Sequence, residues 1–425
     1  MCPLTRPAWH EPCRSLSALN ILLVNHYAGT PALGMEYRPY YLAREWVRLG
    51  HQATIVAADH SHYRARQPAP GQAQVDGITY RWLPTPAYSG NGWPRMRNVM
   101  SFLRQLWTQA PEMAATLRPD VVISSSTYPM DTWVARRIAQ LAHARLVHEV
   151  HDLWPLSPVE LSGMSPWHPF ALICQSAEDA AYRHSDAVVS MLPKVHAHMA
   201  GRGLDLKKLS IVPNGISPEE WAAQPEPLRA DVDQALEAAR RAGAVIVGYA
   251  GSMGLPNALD VLLDAARLLA DRPLRFVLVG DGHERERLAA RIADEGLTHM
   301  AMLPPIPKAQ VPAFLAAIDI AYLGWQRQPL YRFGIAPNKL MDYMMAARPV
   351  LHSVEAGNDP VAESGCGLTV APESPEDVAH GLRQLAALSP SERRQLGERG
   401  RAHVLQHHAY PVLARQFLAA VGVPA

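Results

Sequence analysis

Two histidines and an aspartate lie close together in sequence at the end of a predicted β-strand and could bind a metal ion or a ligand. His148 and His151 are three residues apart, and Asp152 directly follows the second histidine. A zinc site of the HExxH type needs histidines four apart on a helix, whereas residues three apart on a strand point to opposite faces. The spacing therefore argues against a metal site and favours His151 as a ligand-facing histidine at the carboxyl end of the strand. A hydrogen-bonded core histidine explains the same spacing equally well.

A second group of polar residues begins a predicted helix. Pro337 suits the first turn of a helix, and Asn338, Lys339 and Asp342 follow it. Lys339 and Asp342 are three apart, so they share one helix face near the N-terminus. The helix dipole, Asn338 and Lys339 could bind a diphosphate, and Asp342 could accept hydrogen bonds from a ribose. A capped surface turn with a simple Lys–Asp pair is the structural alternative.

Glycines mark two turns that each join a predicted strand to a helix. Gly29 and Gly34 lie in the loop after the first strand, where glycine lets the backbone approach an anion near a helix N-terminus. That loop lacks the Lys-Ser/Thr of a P-loop and the GxGxxG of a dinucleotide fold. Gly280 and Asp281 form a comparable turn later in the chain. Both turns are compatible with a nucleotide contact and with an ordinary structural role.

The elements that would position these residues are short apolar strands alternating with helices. A first series begins with the strand at 19–25, and a second series begins with the strand at 244–250. This alternation predicts two Rossmann-like α/β domains in tandem, facing a central cleft. The predicted parts are an N-terminal extension (1–18), an N-terminal domain (19–213), a C-terminal domain (214–408) and a C-terminal helix (409–425).

The composition is that of a well-packed globular chain with little net charge. The 425 residues include 40 Lys and Arg and 39 Asp and Glu, which gives no overall electrostatic case for binding nucleic acid. The four cysteines are scattered without a CxxC pair, which argues against a disulfide framework and suits a reducing cytoplasm. No apolar run reaches the roughly 18–20 residues of a membrane span, and the N-terminus lacks the apolar core of a signal peptide.

One predicted helix, 95–118, carries apolar residues at helical spacing. Arg95, Arg97 and Arg104 lie among them, so this helix could rest on a membrane surface. A helix that covers the sheet is the simpler interpretation. Pro111 is expected to break the helix, because proline lacks the amide hydrogen that a helix interior uses.

Several stretches together resemble the retaining glycosyltransferases of family four, which have the two-domain GT-B fold. These stretches are NHYAGTPALGMEYRPYYLAREWVRLGH, HDLWPLSPVEL, SDAVVSMLPK, IVPNGI, LVGDGHERERL and FGIAPNKLMDYMMAARPVL. The resemblance covers nearly the whole chain from Asn20 onward and is nearest to bacterial L-fucosamine (N-acetylfucosamine) transferases of O-antigen assembly. It implies a nucleotide-sugar donor, most often UDP-linked, mainly on the C-terminal domain and an acceptor mainly on the N-terminal domain. It also implies that the last helix packs back on the N-terminal domain and that no cofactor or metal is required.

The resemblance also implies roles for individual residues. Gly29 would lie near the diphosphate, His151 would contact the transferred sugar and stabilise positive charge, and Asp342 would bind the ribose. The family commonly has two glutamates eight residues apart, but Gly334 and Asp342 stand at those positions here. The candidate site comprises His151 and Asp342 as catalytic residues and Gly29, Gly34, Ser252, Asn257, Gly280, Asp281, Arg332, Asn338 and Lys339 as donor-binding residues, without metal ligands.

A second departure concerns the positive charge of the donor site. The family usually has an arginine and a lysine after the first strand of the C-terminal domain, but Ser252 and Met253 stand there and Asn257 occupies the later position. The resemblance then requires another cation near the diphosphate. Lys339 and Arg332 are the two candidates.

These observations predict a cytoplasmic transferase that can contact the inner face of the cytoplasmic membrane. It would move a sugar, in our interpretation an N-acetylated 6-deoxyhexosamine, from a UDP-sugar to a lipid-linked or surface glycan, with retention at the anomeric carbon. The acceptor would be carried on a polyprenyl diphosphate in O-antigen, capsule or exopolysaccharide biosynthesis. Two alternatives stay open: a UDP-sugar 2-epimerase, against which the stretch PNKLMDYMMAARP argues, and a non-catalytic UDP-sugar-binding partner in a polysaccharide assembly complex, which the missing charged residues would explain.

Overall fold

The computed structural model describes residues 18–90 and 92–423 as two β-sheets with helices between their strands. Both sheets are built on parallel strand pairs, with one antiparallel pair at an edge of the first. The predicted α/β class with two Rossmann-like sheets is therefore confirmed. Residues 1–17 of the predicted extension, with Cys2 and Cys13, lie outside the described residues. Cys174 and Cys366 are buried and free.

The first sheet has eight strands in the order β3-β4-β2-β1-β5-β6-β7-β8 across the sheet, with bounds given at the end of this paragraph. β1 pairs in parallel with β2 and β5, and it is buried from its second residue onward, as its apolar sequence predicts. The antiparallel edge strand β3 was not predicted, because its sequence GQAQV is short and mostly polar. The strands are β1 (Asn20–Val24), β2 (Gln52–Ala58), β3 (Gly71–Val75), β4 (Ile78–Leu83), β5 (Val121–Ser124), β6 (Arg145–Val150), β7 (Ala187–Ser190) and β8 (Leu209–Ile211).

The second sheet has six strands in the order β11-β10-β9-β12-β13-β14. Two buried apolar clusters, one containing Leu340 and Met344 and the other Leu262 and Phe276, include side chains from its strands and helices. β9 and β10 are the longest strands, with eight residues each, and they pair along their whole length. The strands are β9 (Val245–Ser252), β10 (Leu274–Asp281), β11 (Met300–Leu303), β12 (Ile320–Gly324), β13 (Val350–Ser353) and β14 (Gly367–Val370).

Sixteen α-helices join the strands of the described residues. The charged region 375–407 forms two of these helices, which are separated at Leu388 and Ser389, and a capping box on Ser389 begins the second helix. None of these helices is long and apolar enough to cross a membrane. The helices are α1 (Arg38–Arg48), α2 (Trp93–Leu117), α3 (Asp131–Ala142), α4 (Leu156–Ser162), α5 (Pro169–His184), α6 (His196–Gly201), α7 (Pro218–Ala222), α8 (Ala230–Arg241), α9 (Leu259–Arg267), α10 (Arg285–Asp294), α11 (Val311–Ala317), α12 (Asn338–Met345), α13 (Pro360–Ser364), α14 (Pro375–Ala387), α15 (Pro390–His407) and α16 (Tyr410–Ala420).

Helix α2 corrects one prediction, because Pro111 does not break it. The helix continues through this proline to Leu117. Phe102 and Leu106 before the proline and Met113 after it are all buried in one apolar cluster with strands of the first sheet. Burial on both sides of Pro111 offsets the hydrogen bond that the proline cannot make.

Contacts divide the chain into two compact units. Within the described residues, one comprises 18–125, 131–147 and 418–423, and the other comprises 126–130 and 148–417. In the second unit, Ile216 and Ala409 form a parallel bridge, with hydrogen bonds from Ile216 N to His408 O (2.9 Å) and from Tyr410 N to Ile216 O (3.0 Å). The predicted domain boundary near 213, the central cleft and the packing of the last helix stay predictions.

Candidate active site

The carboxyl ends of β9 and β10 bring three of the predicted residues together. Gly251 is paired with Gly280, and Ser252 is paired with Asp281, at the last two positions of the two strands. Asp281 then accepts a hydrogen bond on Oδ1 from the amide of Gly282 (2.9 Å), which starts the turn toward α10. Ser252 and Asp281 are exposed. This edge of a parallel sheet is where ligands of Rossmann-like folds bind.

Lys339, in the first turn of α12, points its ammonium group at the same strand ends. Nζ donates to Tyr249 Oη (2.6 Å) and Asn257 Oδ1 (2.5 Å), with the Ser252 carbonyl oxygen at 3.4 Å. The ammonium also lies 4.8 Å from the centre of the Tyr249 ring, within the range of a cation–π contact. The predicted residues Ser252, Asn257 and Lys339 therefore lie in one cluster with Tyr249. We call these four residues the lysine cradle. Burial lowers the pKa of Lys339 to about 8, so the amine is still mostly charged at pH 7.

Gly251 makes room for this lysine. Its φ is +143°, a conformation that side-chain-bearing residues rarely adopt. A Cβ atom at this position would lie 2.5 Å from Cε of Lys339. A larger residue would therefore both strain the strand end and push the ammonium group out of the lysine cradle.

Tyr249 is a member of the cradle that the sequence did not reveal. Its hydroxyl donates to the Ser252 carbonyl and accepts from Lys339 Nζ. The strand sequence AVIVGYA identifies the residue only as part of an apolar run. The signal that could have identified Tyr249 is a tyrosine, with its polar hydroxyl group, two positions before the glycine at the end of a strand.

Asn338, the first residue of α12, is held from a distant part of the chain. Asn214 Nδ2 donates to Asn338 Oδ1, and Asn214 Oδ1 accepts from Tyr410 Oη (3.3 Å). The Asn214 carbonyl oxygen lies 2.9 Å from His408 Nδ1. The predicted donor residue Asn338 thus has a positioning contact, and the three residues that hold it were missed because they are far away in sequence.

Asp342 lies one turn beyond Lys339 but has other neighbours. Burial raises its pKa to about 7, while the positive charge of Lys308 lowers it and the negative charge of Glu220 raises it. Lys308 Nζ lies 2.7 Å from Glu220 Oε2. Among the described residues Lys339 and Asp342 form no ion pair with each other, so the simple Lys–Asp pair is not what this helix contains. A carboxyl group that titrates near neutrality is typical of functional sites.

Arg332 does not join the lysine cradle. Its guanidinium makes a bidentate ion pair with Glu160, with both nitrogen–oxygen distances at 2.7 Å, and also donates to the Pro329 carbonyl oxygen at 2.6 Å. The hydrogen bond with Glu160 raises the pKa of Arg332. Of the two candidates for the cation of the donor site, the structure places Lys339 at the strand ends, while the charge of Arg332 is balanced by Glu160.

The histidine cluster lies at the end of β6, within the second compact unit. His151 Nε2 is 3.3 Å from Glu149 Oε2, and both side chains are buried. A small cavity is lined by His148, Glu149, Asp152 and other polar residues, and burial lowers the pKa of His148 to about 4. The structure thus shows His151 as a buried histidine beside a carboxylate, and the catalytic role remains a prediction. No group of His, Cys, Asp or Glu in 18–90 and 92–423 is arranged to hold a metal ion.

Gly29 and Gly34 lie in the first compact unit, in a loop closed by its own backbone. Gly34 N donates to Thr30 O (2.9 Å), and Tyr80 Oη donates to Gly29 O (3.0 Å). A Cβ atom on Gly29 would lie 1.9 Å from the carbonyl oxygen of Gly34, so the loop itself requires this glycine. The predicted contact with a diphosphate stays a prediction.

Two solved structures with the same fold are distant from this chain in sequence. Sucrose-phosphate synthase from Thermosynechococcus elongatus is 18% identical with a TM-score of 0.71, and the match covers 95% of this chain and 98% of that one. The HepE protein of Anabaena, in complex with UDP and glucose, is 14% identical with a TM-score of 0.64, covering 95% of this chain and 99% of that one. At these identities the similarity shows the fold, which is the GT-B arrangement of two Rossmann-like domains.

Two family models match the two parts of the chain. Residues 34–215 match the Glycosyl transferase 4-like domain, and residues 244–387 match the Glycosyl transferases group 1 model. The chain thus carries two regions that match glycosyltransferase domains, on a fold of the GT-B class.

Curated relatives match parts of the chain at low identity. A stretch of 147 residues is 29% identical to a protein described as colanic acid biosynthesis glycosyl transferase WcaI of Escherichia coli K12, covering 34% of this chain and 36% of that protein. A stretch of 225 residues is 22% identical to 2-deoxystreptamine glucosyltransferase of Streptomyces kanamyceticus, covering 51% of this chain and 55% of that protein. The matches thus span about a third to a half of these relatives.

Proposed function

We propose that this chain is a retaining glycosyltransferase that takes a sugar from a UDP-sugar and adds it to a lipid-linked or surface glycan. The observation that carries the proposal is the lysine cradle, in which a charged amine sits at the carboxyl ends of two parallel strands and in the first turn of a helix. The description of HepE in complex with UDP and glucose supports a nucleotide-sugar donor. The name of WcaI, a colanic acid biosynthesis protein, supports a polysaccharide pathway.

The cradle suits a leaving diphosphate. The ammonium of Lys339 and the N-terminus of α12 concentrate positive potential at one point, and a diphosphate is stabilised there as negative charge develops on it. Asn257 and Tyr249 hold the amine by hydrogen bonds, so the charge is oriented before the ligand arrives. In the proposal Lys339 supplies the positive charge at the diphosphate. Family-four glycosyltransferases usually supply it with an arginine and a lysine at the positions that follow Gly251 in this chain.

The reaction that we propose is a displacement on one face of the sugar. The bond between the anomeric carbon and the diphosphate oxygen breaks, and the acceptor oxygen forms a bond to the same carbon from the same side. The acceptor proton passes to the departing phosphate oxygen, so no separate base is required. His151, paired with the carboxylate of Glu149, would stabilise the positive charge that develops on the sugar ring.

The finer assignments belong to the proposal as well. The transferred sugar would be an N-acetylated 6-deoxyhexosamine, and the acceptor would be carried on a polyprenyl diphosphate in O-antigen, capsule or exopolysaccharide biosynthesis. No cofactor or metal would be needed, because the cradle supplies the positive charge. Because such an acceptor is anchored in lipid, the protein would act at the cytoplasmic face of a membrane.

Calorimetric titration tests the donor. Chelator-treated protein is titrated with UDP, GDP, dTDP and NAD, and we expect selective binding of UDP. Lys339→Ala should weaken UDP binding by about 10- to 100-fold, because a charge-assisted contact to phosphate contributes about 1.5–3 kcal/mol, and should leave uridine binding nearly unchanged. Lys207→Ala, which removes an exposed lysine from a surface turn, is the matched control.

Other outcomes would change the proposal in different ways. Equal losses for UDP and uridine would show that Lys339 acts through the fold and not on the diphosphate. A preference for GDP or dTDP would keep the transferase and replace the donor. Conversion of a UDP-sugar to a new sugar nucleotide without acceptor would identify an epimerase, and binding without turnover on any acceptor would identify a non-catalytic partner.

A further inference from the structure

The outer face of α2 exposes large apolar residues in one line. Trp93, Met100 and Trp107 are 68%, 55% and 46% exposed, although each is a residue type that the core could use. They are seven residues apart, so they lie on one face of the helix. Arg97 and Arg104 stand between them, also exposed and on the same face. The face thus alternates aromatic or apolar residues with arginines over four helical turns.

The opposite face of α2 is well packed, so the exposed residues are not core residues that lack a partner. Val99, Phe102 and Leu106 are buried, and Phe102 and Leu106 belong to the apolar cluster with strands of the first sheet. The helix is therefore fixed in rotation by its buried side, and the exposed tryptophans cannot turn inward. The interpretation of this helix as a cover for the sheet is right for one face and leaves the other face unexplained.

Helix α3 extends the same surface. Trp133 on α3 is 36% exposed, and the guanidinium of Arg137 lies 4.6 Å from the centre of the Trp107 ring. This cation–π contact holds the half-buried arginine beside α2. We call this surface the Trp–Arg face, with the members Trp93, Arg97, Met100, Arg104, Trp107, Trp133 and Arg137.

The charge of the Trp–Arg face has one sign. No Asp or Glu occurs in α2 before Glu112, and that glutamate is paired with Arg81 at 3.0 Å. Arg97 and Arg104 form no ion pair within the described part of the chain. Since the whole chain carries a net charge of only +1, this concentration of unbalanced arginines is local.

An anionic lipid surface fits this pattern better than a second copy of the chain does. Tryptophan side chains are favoured at the level of lipid head groups, and arginines bind lipid phosphates. A symmetric dimer through this face would bring the arginines of both copies together without carboxylates to balance them. We propose that the Trp–Arg face docks the protein on the surface of an anionic membrane, with its tryptophans in the head-group layer. This inference deepens the proposed function, since it locates the membrane contact that a lipid-linked acceptor requires.

Vesicle flotation tests the docking without any donor or acceptor. The full chain is mixed with vesicles of phosphatidylcholine alone or with about one third phosphatidylglycerol, and we expect it to float only with the anionic vesicles. Arg97→Ser with Arg104→Ser should weaken binding by roughly 10- to 30-fold, because each basic side chain near an anionic surface adds about a factor of five. Trp93→Ala with Trp107→Ala should weaken binding by a similar factor through loss of interfacial burial.

A charge-matched control and a folding control complete the experiment. Arg241→Ser with Arg401→Ser removes two exposed arginines from other helices and should leave flotation unchanged. All variants should keep the UDP affinity of the unmodified chain, which separates a docking defect from a failure of the donor proposal. The docking proposal would be overturned if the unmodified chain did not float with anionic vesicles, or if the Trp–Arg variants floated as well as the unmodified chain. It would also be overturned if sedimentation showed a dimer that is lost in Trp93→Ala with Trp107→Ala.

Discussion

At the scale of single residues, Lys339 and Arg332 illustrate what a structure adds to a motif. Both are basic residues close in sequence, and either could replace the missing cations of the donor site. Arg332 is bound by Glu160, whereas Lys339 is held by Tyr249 and Asn257 at the strand ends. These partners, and not the positions of the two residues in the sequence, are the reason that our proposal assigns the diphosphate contact to Lys339.

The pKa values of Lys339 and Asp342 predict a pH dependence of UDP binding. Burial lowers the pKa of Lys339 to about 8, so its positive charge, and with it the diphosphate contact, is lost as the pH rises above about 8. Burial raises the pKa of Asp342 to about 7, so the carboxylate that would accept ribose hydrogen bonds is lost as the pH falls below about 7. We expect UDP affinity, measured by calorimetry from pH 6 to 9, to be highest between these values.

Two variants assign the two limbs of that profile. Lys339→Met should remove the alkaline decline, and Asp342→Asn should remove the acidic decline. Titration with uridine, which lacks the diphosphate, should show only the acidic decline. A profile that is flat over the same range for the unmodified protein would contradict both assignments.

His151 should affect turnover more than donor binding. Its imidazole beside the Glu149 carboxylate can stabilise positive charge that exists only in the transition state. We expect His151→Ala to lower kcat by about 100- to 1000-fold, the size usual for a preorganised electrostatic group, with UDP affinity within about threefold. Exposed His380→Ala serves as the control. Undiminished turnover of His151→Ala would exclude the role, and a parallel loss of UDP binding would point to a structural one.

At the scale of elements, α2 combines a tightly packed inner face with an interruption of its own hydrogen bonding. Pro111 lies inside the helix and cannot donate to the carbonyl oxygen one turn earlier. Apolar packing on both sides of the proline holds the helix together. The stability of this element therefore depends on tertiary contacts more than on its backbone.

Pro111→Ala should stabilise α2. Alanine restores the missing hydrogen bond and relieves the clash of the proline ring, which together are worth about 3 kcal/mol, and the greater freedom of the unfolded chain takes back about 1 kcal/mol. We expect a net gain of about 2 kcal/mol in the opening free energy of α2, measured by hydrogen exchange of its amides. Pro166→Ala, in an exposed loop, should not change the exchange of α2. Faster exchange in Pro111→Ala would mean that the proline ring contributes packing that alanine cannot replace.

At the scale of the whole molecule, the sequence predicted the two sheets, because strand periodicity is a local signal. That Ser252, Asn257 and Lys339 belong to one site was implied only by the resemblance to family-four glycosyltransferases, and the structure shows that the three residues are in contact. It could not predict that Asn338 is held by Asn214, since that contact joins residues far apart in the chain. The strand β14 was missed because its sequence GLTV has no continuous apolar run, in keeping with its incomplete burial. The continuation of α2 through Pro111 was missed because helix propensity disfavours an internal proline and does not include the tertiary packing that stabilises this helix.

The bridge between Ile216 and Ala409 has a consequence for how such chains change over time. It joins the beginning and the end of a segment of nearly half the chain, through backbone atoms that every residue except proline supplies. A segment whose two ends meet can be exchanged for another without a new junction having to be designed. Recombination between related chains at these two places would exchange the strands β9 to β14, together with the lysine cradle, as one block and leave the remainder of the chain unchanged.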